Sequence, residues 1–180
     1  MDKDENIIRL IAEGDQQAFK KLYDQFSSMV FNTALSYAQD NNDAEEITQD
    51  VFVSIFRNAG KFRAESSLTT WIYRITVNTS LNFIKRRKRH SFINVEIKKL
   101  DRQDFDHPGV LLENKENARI LFQLIDTLAD NQKTAFILSY VELLPQKEVA
   151  EIMGTSLKAV ESLLQRGKKK LREKLKKNDS

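Results

Sequence analysis

Apolar residues recur at three- and four-residue steps through stretch after stretch of this sequence, and that period commits the chain to helices. Phe19, Leu22, Tyr23, Phe26, Val30, Ala34 and Tyr37 form one such stripe. Ile47, Val51, Ile55 and Phe56 form another, and Leu68, Ile72, Ile75, Thr79 and Phe83 a third. Only 5 Gly and 2 Pro occur in 180 residues, too few for a turn-rich β protein. The expectation is an all-α chain of two small helical domains joined by a flexible linker, the C-terminal domain containing a helix-turn-helix.

The punctuation between stripes sets the boundaries. Ile7, Ile8, Leu10 and Ile11 mark a short first helix ended by Gly14, with Asp15 capping the next. Asn41-Asn42 breaks the long helix. Asp43 followed by Glu46 resembles a capping box opening another, which closes near Asn58-Ala59-Gly60. Residues 61–67 read as a loop, with Ser67 capping a helix that runs from Leu68 to about Arg89. Residues 90–114 lose helical period and hold Asp101, Asp104, Asp106 and a His107-Pro108-Gly109 breaker, the marks of a linker. The expected domains are therefore 1–89 and 115–180.

In the second domain Leu121, Leu124, Ile125 and Leu128 mark one helix. Ala135, Leu138, Ser139 and Glu142 lie along the next, with Phe136 and Tyr140 beside them. Pro145 suits the first turn of a third helix. Ser156 caps a fourth, whose core stripe is Val160, Leu163, Leu164, Leu171 and Leu175.

Residues 146–165, QKEVAEIMGTSLKAVESLLQ, carry the pattern of two short helices meeting at a tight turn. Ala150 is small where the second helix crosses, and Gly154 sits where positive φ is cheap. Val149, Met153, Val160 and Leu163 pin the angle. The pattern fits a helix-turn-helix whose second helix enters a major groove; an ordinary helical hairpin is the competing reading. That second helix exposes Lys158, Glu161, Ser162, Gln165, Arg166 and Lys169. Gln and Arg can read base edges, whereas the lysines that follow contact phosphates or stay in solution.

The net charge of +3 hides two basic blocks. Residues 84–90 hold 5 cations and no acid, and residues 154–180 hold 9 cations and 3 acids, while the rest of the chain is net acidic. Each block suits contact with a polyanion, and equally suits solvated lysines at helix C-termini. The first adjoins a polar helical face, where Trp71, Arg74, Asn78, Asn82, Lys85 and Arg89 follow at steps of 3, 4, 4, 3 and 4. Two amides, three cations and a stacking ring suit a surface that touches bases and backbone together. The bland alternatives are Trp71 in the core and asparagines facing water. The preceding loop, with Phe62, Arg63, Glu65 and Ser66 as walls, could accept an extruded base if a partner already distorts the duplex.

Other function classes find little support. The chain has no Cys, so disulfides, thiolate metal sites and a cysteine nucleophile are excluded. His90 and His107 have no second ligand at metal spacing, and no Gly-rich phosphate loop occurs. Glu45 and Glu46, or the Asp101–Asp106 group, read as solvated or docking charges rather than catalytic pairs. No enzymatic activity, metal or cofactor is expected. No apolar run approaches the ~20 residues that span a bilayer. The N-terminus, Met1-Asp2-Lys3-Asp4-Glu5, is unlike a signal peptide. A cytoplasmic location is expected.

DAEEITQDVFVSIFRN (43–58) and KFRAESSLTTWIYRITVNTSLNFIKRRKR (61–89) resemble the polymerase-binding and promoter-melting region of extracytoplasmic-function sigma factors, of the sigma-70 family. Residues 128–175 are similar to their C-terminal promoter-binding domain. The resemblance implies that Asp43, Glu46, Gln49 and Asp50 dock on the clamp of the RNA polymerase largest subunit. It implies that Asn78 and Asn82, with the 61–67 loop, read the minus-ten element and hold its non-template strand open. It implies that Ser162, Gln165 and Arg166 read the minus-thirty-five element. It also implies a flap contact, a linker in the RNA exit path whose acids mimic nucleic acid, and an anti-sigma factor that covers these faces.

The chain departs from many relatives at Glu161 and Leu163, where they carry Lys or Arg and Arg. It departs again at Ala129, where they carry Pro, and at Leu144 and Pro145, where they carry a small polar residue and an aromatic. Base preference upstream therefore does not transfer. A stand-alone helix-turn-helix regulator binding duplex DNA as a homodimer would explain 146–177 but leave 43–89 unexplained.

Overall fold

The computed structural model describes residues 3–93 and 115–178, and every described element is helical. The chain divides into two compact units, Met1–Leu100 and Asp101–Ser180.

In the first unit α1 (Lys3–Ala12) buries Ile8 and Ile11. Gly14 turns the chain at φ +90°, and Asp15 then caps α2 (Gln16–Ala38) by accepting from the N–H groups of Gln17 at 2.8 Å and Ala18 at 3.0 Å. α2 buries Leu22, Phe26, Val30 and Ala34 along its stripe. Its end differs from expectation. Gln39, in the left-handed region at φ 54°, closes α2, and Asn41 and Asn42 are already the first residues of α3 (Asn41–Asn58). The cap is Asp40, which accepts from the N–H of Asp43 at 3.0 Å, so Asp43 lies inside the first turn and is not its cap.

α3 buries Ala44, Ile47, Val51, Phe52 and Ile55. A 3₁₀ turn, Ala59–Lys61, and an irregular segment lead to Ser67, whose hydroxyl accepts from the N–H of Thr70 at 3.1 Å. α4 (Leu68–Ile93) follows, roughly 39 Å long at 1.5 Å per residue. Its buried line is Leu68, Ile72, Thr76, Ser80 and Phe83, with Tyr73 and Val77 beside it, while Ile75 and Thr79 are only half-buried. Thr76 and Ser80 can face the core because each hydroxyl donates to the carbonyl four residues back, Ile72 at 2.9 Å and Thr76 at 2.7 Å. The helix continues through residues 90–93, where the linker was expected to begin. The rest of that segment, including Asp101, Asp104, Asp106 and His107-Pro108-Gly109, lies outside the described residues.

The second unit comprises α5 (Lys115–Asp126), α6 (Asp130–Phe136), α7 (Gln146–Met153) and α8 (Leu157–Asn178). α6 runs into a π-helical turn, Ile137–Val141, in which the N–H of Glu142 donates to the carbonyl of Ile137 at 3.0 Å. Phe122, Ile125, Ala135, Ile137, Leu138, Val149 and Val160 are fully enclosed. Lys133, 4% exposed, is ion-paired with Asp126, tying α6 to α5. Pro145 caps α7, one position earlier than expected. On α8 the expected core stripe holds at Val160, Leu164 and Leu171. Leu163 is half-buried and Leu175 exposed, because Gly167 takes the buried place between Leu164 and Leu171.

Candidate nucleic-acid and polymerase interfaces

The polar face of α4 is presented as its spacing requires. Asn78, Asn82, Lys85 and Arg89 are exposed and fall within roughly 60° of arc at 100° per residue. Arg74 and Trp71 continue the face half-buried. Trp71 is neither core nor free: its ring centroid lies 5.3 Å from that of Phe62, also half-buried. Arg63 and Glu65 are exposed in the adjoining loop, and Ser66 is half-buried. Asn82, Lys85 and Arg89 also line a cleft of about 340 Å³, with Asp50 of α3 on its opposite wall.

The four acidic and amide positions of α3 divide between two sides of the helix. Asp43 is ion-paired with Arg87, Glu46 stands 3.6 Å from Arg86, and Asp50 faces the α4 cleft. Gln49 instead joins Glu45 in lining a separate groove of about 510 Å³ with Tyr23, Ser27 and Phe31 of α2. Beside this groove sequence periodicity missed an exposed apolar patch. Tyr23, Val53 and Phe56 are 45%, 46% and 48% exposed, and Phe19 stacks edge-on to Phe56 at 5.7 Å. The missed signal was adjacency: Ile55 and Phe56 are 100° apart, and a stripe already filled by Ile47, Val51 and Ile55 leaves Phe56 outside.

In the second unit Gly154, at φ +61°, ends α7. Its own N–H donates to Glu151 at 3.1 Å, and that of Thr155 to Ala150 at 2.9 Å. The Ser156 hydroxyl accepts from the N–H of Ala159 at 3.2 Å and starts α8. Val149 and Ala150 pack inward against this turn, with Met153 half-buried. Lys158, Glu161, Ser162, Gln165, Arg166 and Lys169 are all exposed on α8. Arg166 lies along the helix, its Nε donating to the Ser162 carbonyl at 3.2 Å. Two lysines expected to meet phosphate or solvent have internal contacts. Lys168 sits 4.8 Å above the Tyr140 ring, and Lys170 donates to the Thr127 carbonyl at 3.0 Å, closing the end of α5. Among the described residues no helix is long and apolar enough to cross a membrane.

Comparison with known proteins covers both units. Residues 22–90 match the family described as Sigma-70 region 2, and residues 118–171 the family described as Sigma-70, region 4. The chain is similar to the ECF RNA polymerase sigma-E factor of Haemophilus influenzae, 28% identical over 180 residues, 96% of this chain and 95% of that protein. It is similar to the ECF RNA polymerase sigma factor SigW of Bacillus subtilis, 26% identical over 93% of this chain and 94% of the relative. Among solved structures its fold is like that of CnrH in complex with the cytosolic domain of CnrY. The TM-score is 0.68 and the identity 23%, covering 99% of this chain and 100% of the other. It is also like the sigma factor RpoE bound to the anti-sigma factor NepR from Bartonella quintana. There the TM-score is 0.64 and the identity 19%, covering 88% of this chain and 96% of that one.

Proposed function

This chain belongs to the sigma-70 family, among its extracytoplasmic-function members, and directs RNA polymerase to specific promoters; we propose that it does so through three separate helical surfaces. The face of α4 bearing Asn78, Asn82, Lys85 and Arg89 reads the minus-ten element. Phe62, Arg63, Glu65, Ser66, Trp71 and Arg74 there hold the opened non-template strand. Lys158, Glu161, Ser162, Gln165, Arg166 and Lys169 on α8 read the minus-thirty-five element. Glu46, Gln49 and Asp50 dock on the clamp of the largest polymerase subunit, joined by the exposed Val53 and Phe56. The second domain meets the flap. Such a factor carries no catalysis of its own and works in the cytoplasm, where the polymerase is.

The observation that carries this reading is the coexistence, in one chain and in this order, of an amide-rich helical face next to an aromatic-walled loop and a helix-turn-helix. A single helix cannot both hold a duplex and open it. Two readers on separate units can, because a large partner holds them at a fixed spacing and its own contacts offset the few kcal/mol of unstacking. A homodimeric regulator has no use for the first reader. An anti-sigma factor, of the kind bound to the Bartonella relative, would inhibit by covering the same exposed faces.

Transcription in vitro decides the matter. Core polymerase with this chain should select and open particular promoters from a library, and the chain alone should not. Tight duplex binding by the isolated chain as a dimer, with no association to core polymerase, would sink the proposal.

A further inference from the structure

α4 carries its cations on two sides. Lys85 and Arg89 share the exposed face of Asn78 and Asn82, whereas Arg87 stands roughly 180° from Asn78 around the helix. Arg87 instead meets the carboxylate of Asp43 in the first turn of α3, the two side chains being 31% and 19% exposed. One turn along α3, Glu46 and Arg86 lie 3.6 Å apart at 59% and 54% exposure, a wet pair that holds little.

The sheltered pair stands one turn beyond Phe83, where burial on α4 thins out among the residues through Arg89. Phe83 is the last buried residue on α4 through Arg89, and beyond it only Ile84 and Arg87 are even half-buried. Apolar packing therefore fixes α4 as far as Phe83. In the turns carrying Lys85 and Arg89, the Arg87–Asp43 pair to α3 is more sheltered than the Arg86–Glu46 pair. Arg87 brings Nη1 of its guanidinium against Oδ2 of Asp43. Asp43 is itself set in place: its N–H is held by Asp40 at 3.0 Å, and its charge lies at the positive end of the α3 dipole.

We propose that Asp43 and Arg87 form a positioning clasp that fixes the last turns of the minus-ten reader against the polymerase-docking helix. Asp43 is then not a docking contact, since its carboxylate is turned to α4. The inference rests on the reading of α4 and α3 given above. It adds that this sheltered ion pair helps set the register between the two surfaces.

The test uses the full chain with core polymerase, at a temperature where circular dichroism shows every variant folded. Core affinity, open-complex yield, and discrimination between a preferred minus-ten element and a single-base variant are measured separately. Arg87→Met should bind core polymerase like the wild type, give about fivefold to tenfold fewer open complexes, and lose discrimination to a similar degree. Adding Asp43→Asn should bring no further loss, and Arg87→Lys should recover part of it. A pair that only stabilised the fold would leave discrimination unmoved, so unchanged discrimination overturns the clasp. Additive losses overturn it too, as does a fall in core affinity equal to the fall in opening. If the wild-type chain itself fails to bind core polymerase, the functional reading falls first and the clasp with it.

Discussion

The ring of Phe62, in the loop before α4, lies 5.3 Å from that of Trp71 in the first turn of that helix, tilted at 58°. Both rings are half-buried, so the pair pins the loop and still offers aromatic surface to the outside. Such a pair is worth about 0.5–1.5 kcal/mol beyond its buried area. Phe62→Ala should therefore loosen the loop and reduce open complexes several-fold at unchanged core affinity. Trp71 is the only tryptophan of the chain, so its emission in the isolated protein reports on the contact directly. Phe62→Ala should shift that emission to the red as water replaces the ring; an unshifted spectrum would mean that the loop does not depend on Phe62.

The exposed amides of α4 separate recognition from docking. Asn78→Ala or Asn82→Ala removes an exposed donor and acceptor, which the proposed function assigns to bases, and touches nothing in the core. Each should impair minus-ten use while competition for core polymerase stays at the wild-type level. A parallel loss of core affinity would move these residues to the docking surface.

What could be read from the sequence was what local chemistry decides. Gly154, Ser156 and Asp15 act where they stand because a left-handed turn or an orphan N–H needs a particular residue within one turn of chain. The exposed face of α8 and that of α4 followed for the same reason: once a helix is placed, its polar side is fixed by arithmetic. What failed depended on partners distant in sequence or on substitutes for the usual residue types. Gln39 ends α2 in a conformation that Gly or Asn usually supplies. Thr76 and Ser80 are buried because their hydroxyls bond within the helix, leaving no trace in an apolar pattern. Lys133 is buried because Asp126 waits for it across a helix junction. Asp43 reads as the cap of α3, yet Asp40 takes that place and Asp43 lies in the first turn against Arg87 of α4, a partner distant in sequence.

Two backbone substitutions should stabilise the second unit for opposite reasons. Leu143 adopts φ 56° and is 77% exposed, so it bears the left-handed penalty and gains little burial. Leu143→Gly should add roughly 0.5–1 kcal/mol, the steric relief exceeding the extra entropy of the unfolded chain. Gly167 lies within α8, and a Cβ there would meet Leu128 at 3.8 Å, an ordinary contact. Gly167→Ala should add about 0.5–1 kcal/mol by restricting the unfolded chain. Denaturant unfolding monitored by helical circular dichroism measures both. A decrease at 143 would mean that Leu143 packs on something the exposed surface does not reveal.

The cations of α8 should separate into three kinds. Arg166 projects from the presented face and, among the described residues, donates to the Ser162 carbonyl of its own helix, a contact it can exchange for a base edge. Arg166→Ala should relax base choice at one upstream position by ~1–3 kcal/mol. Lys169 is exposed, and Lys169→Ala should weaken binding evenly across sequences and lower the salt slope by about one. Lys170 is committed to the Thr127 carbonyl at 3.0 Å, where a cation also suits the C-terminal end of α5. Lys170→Ala should lower the stability of the second unit by about 0.5–1 kcal/mol and leave base choice alone. Binding isotherms at several salt concentrations against matched and mismatched upstream elements distinguish the three. If Arg166→Ala weakens all sequences equally, Arg166 holds phosphate, and base reading in this protein falls to Gln165 and Ser162.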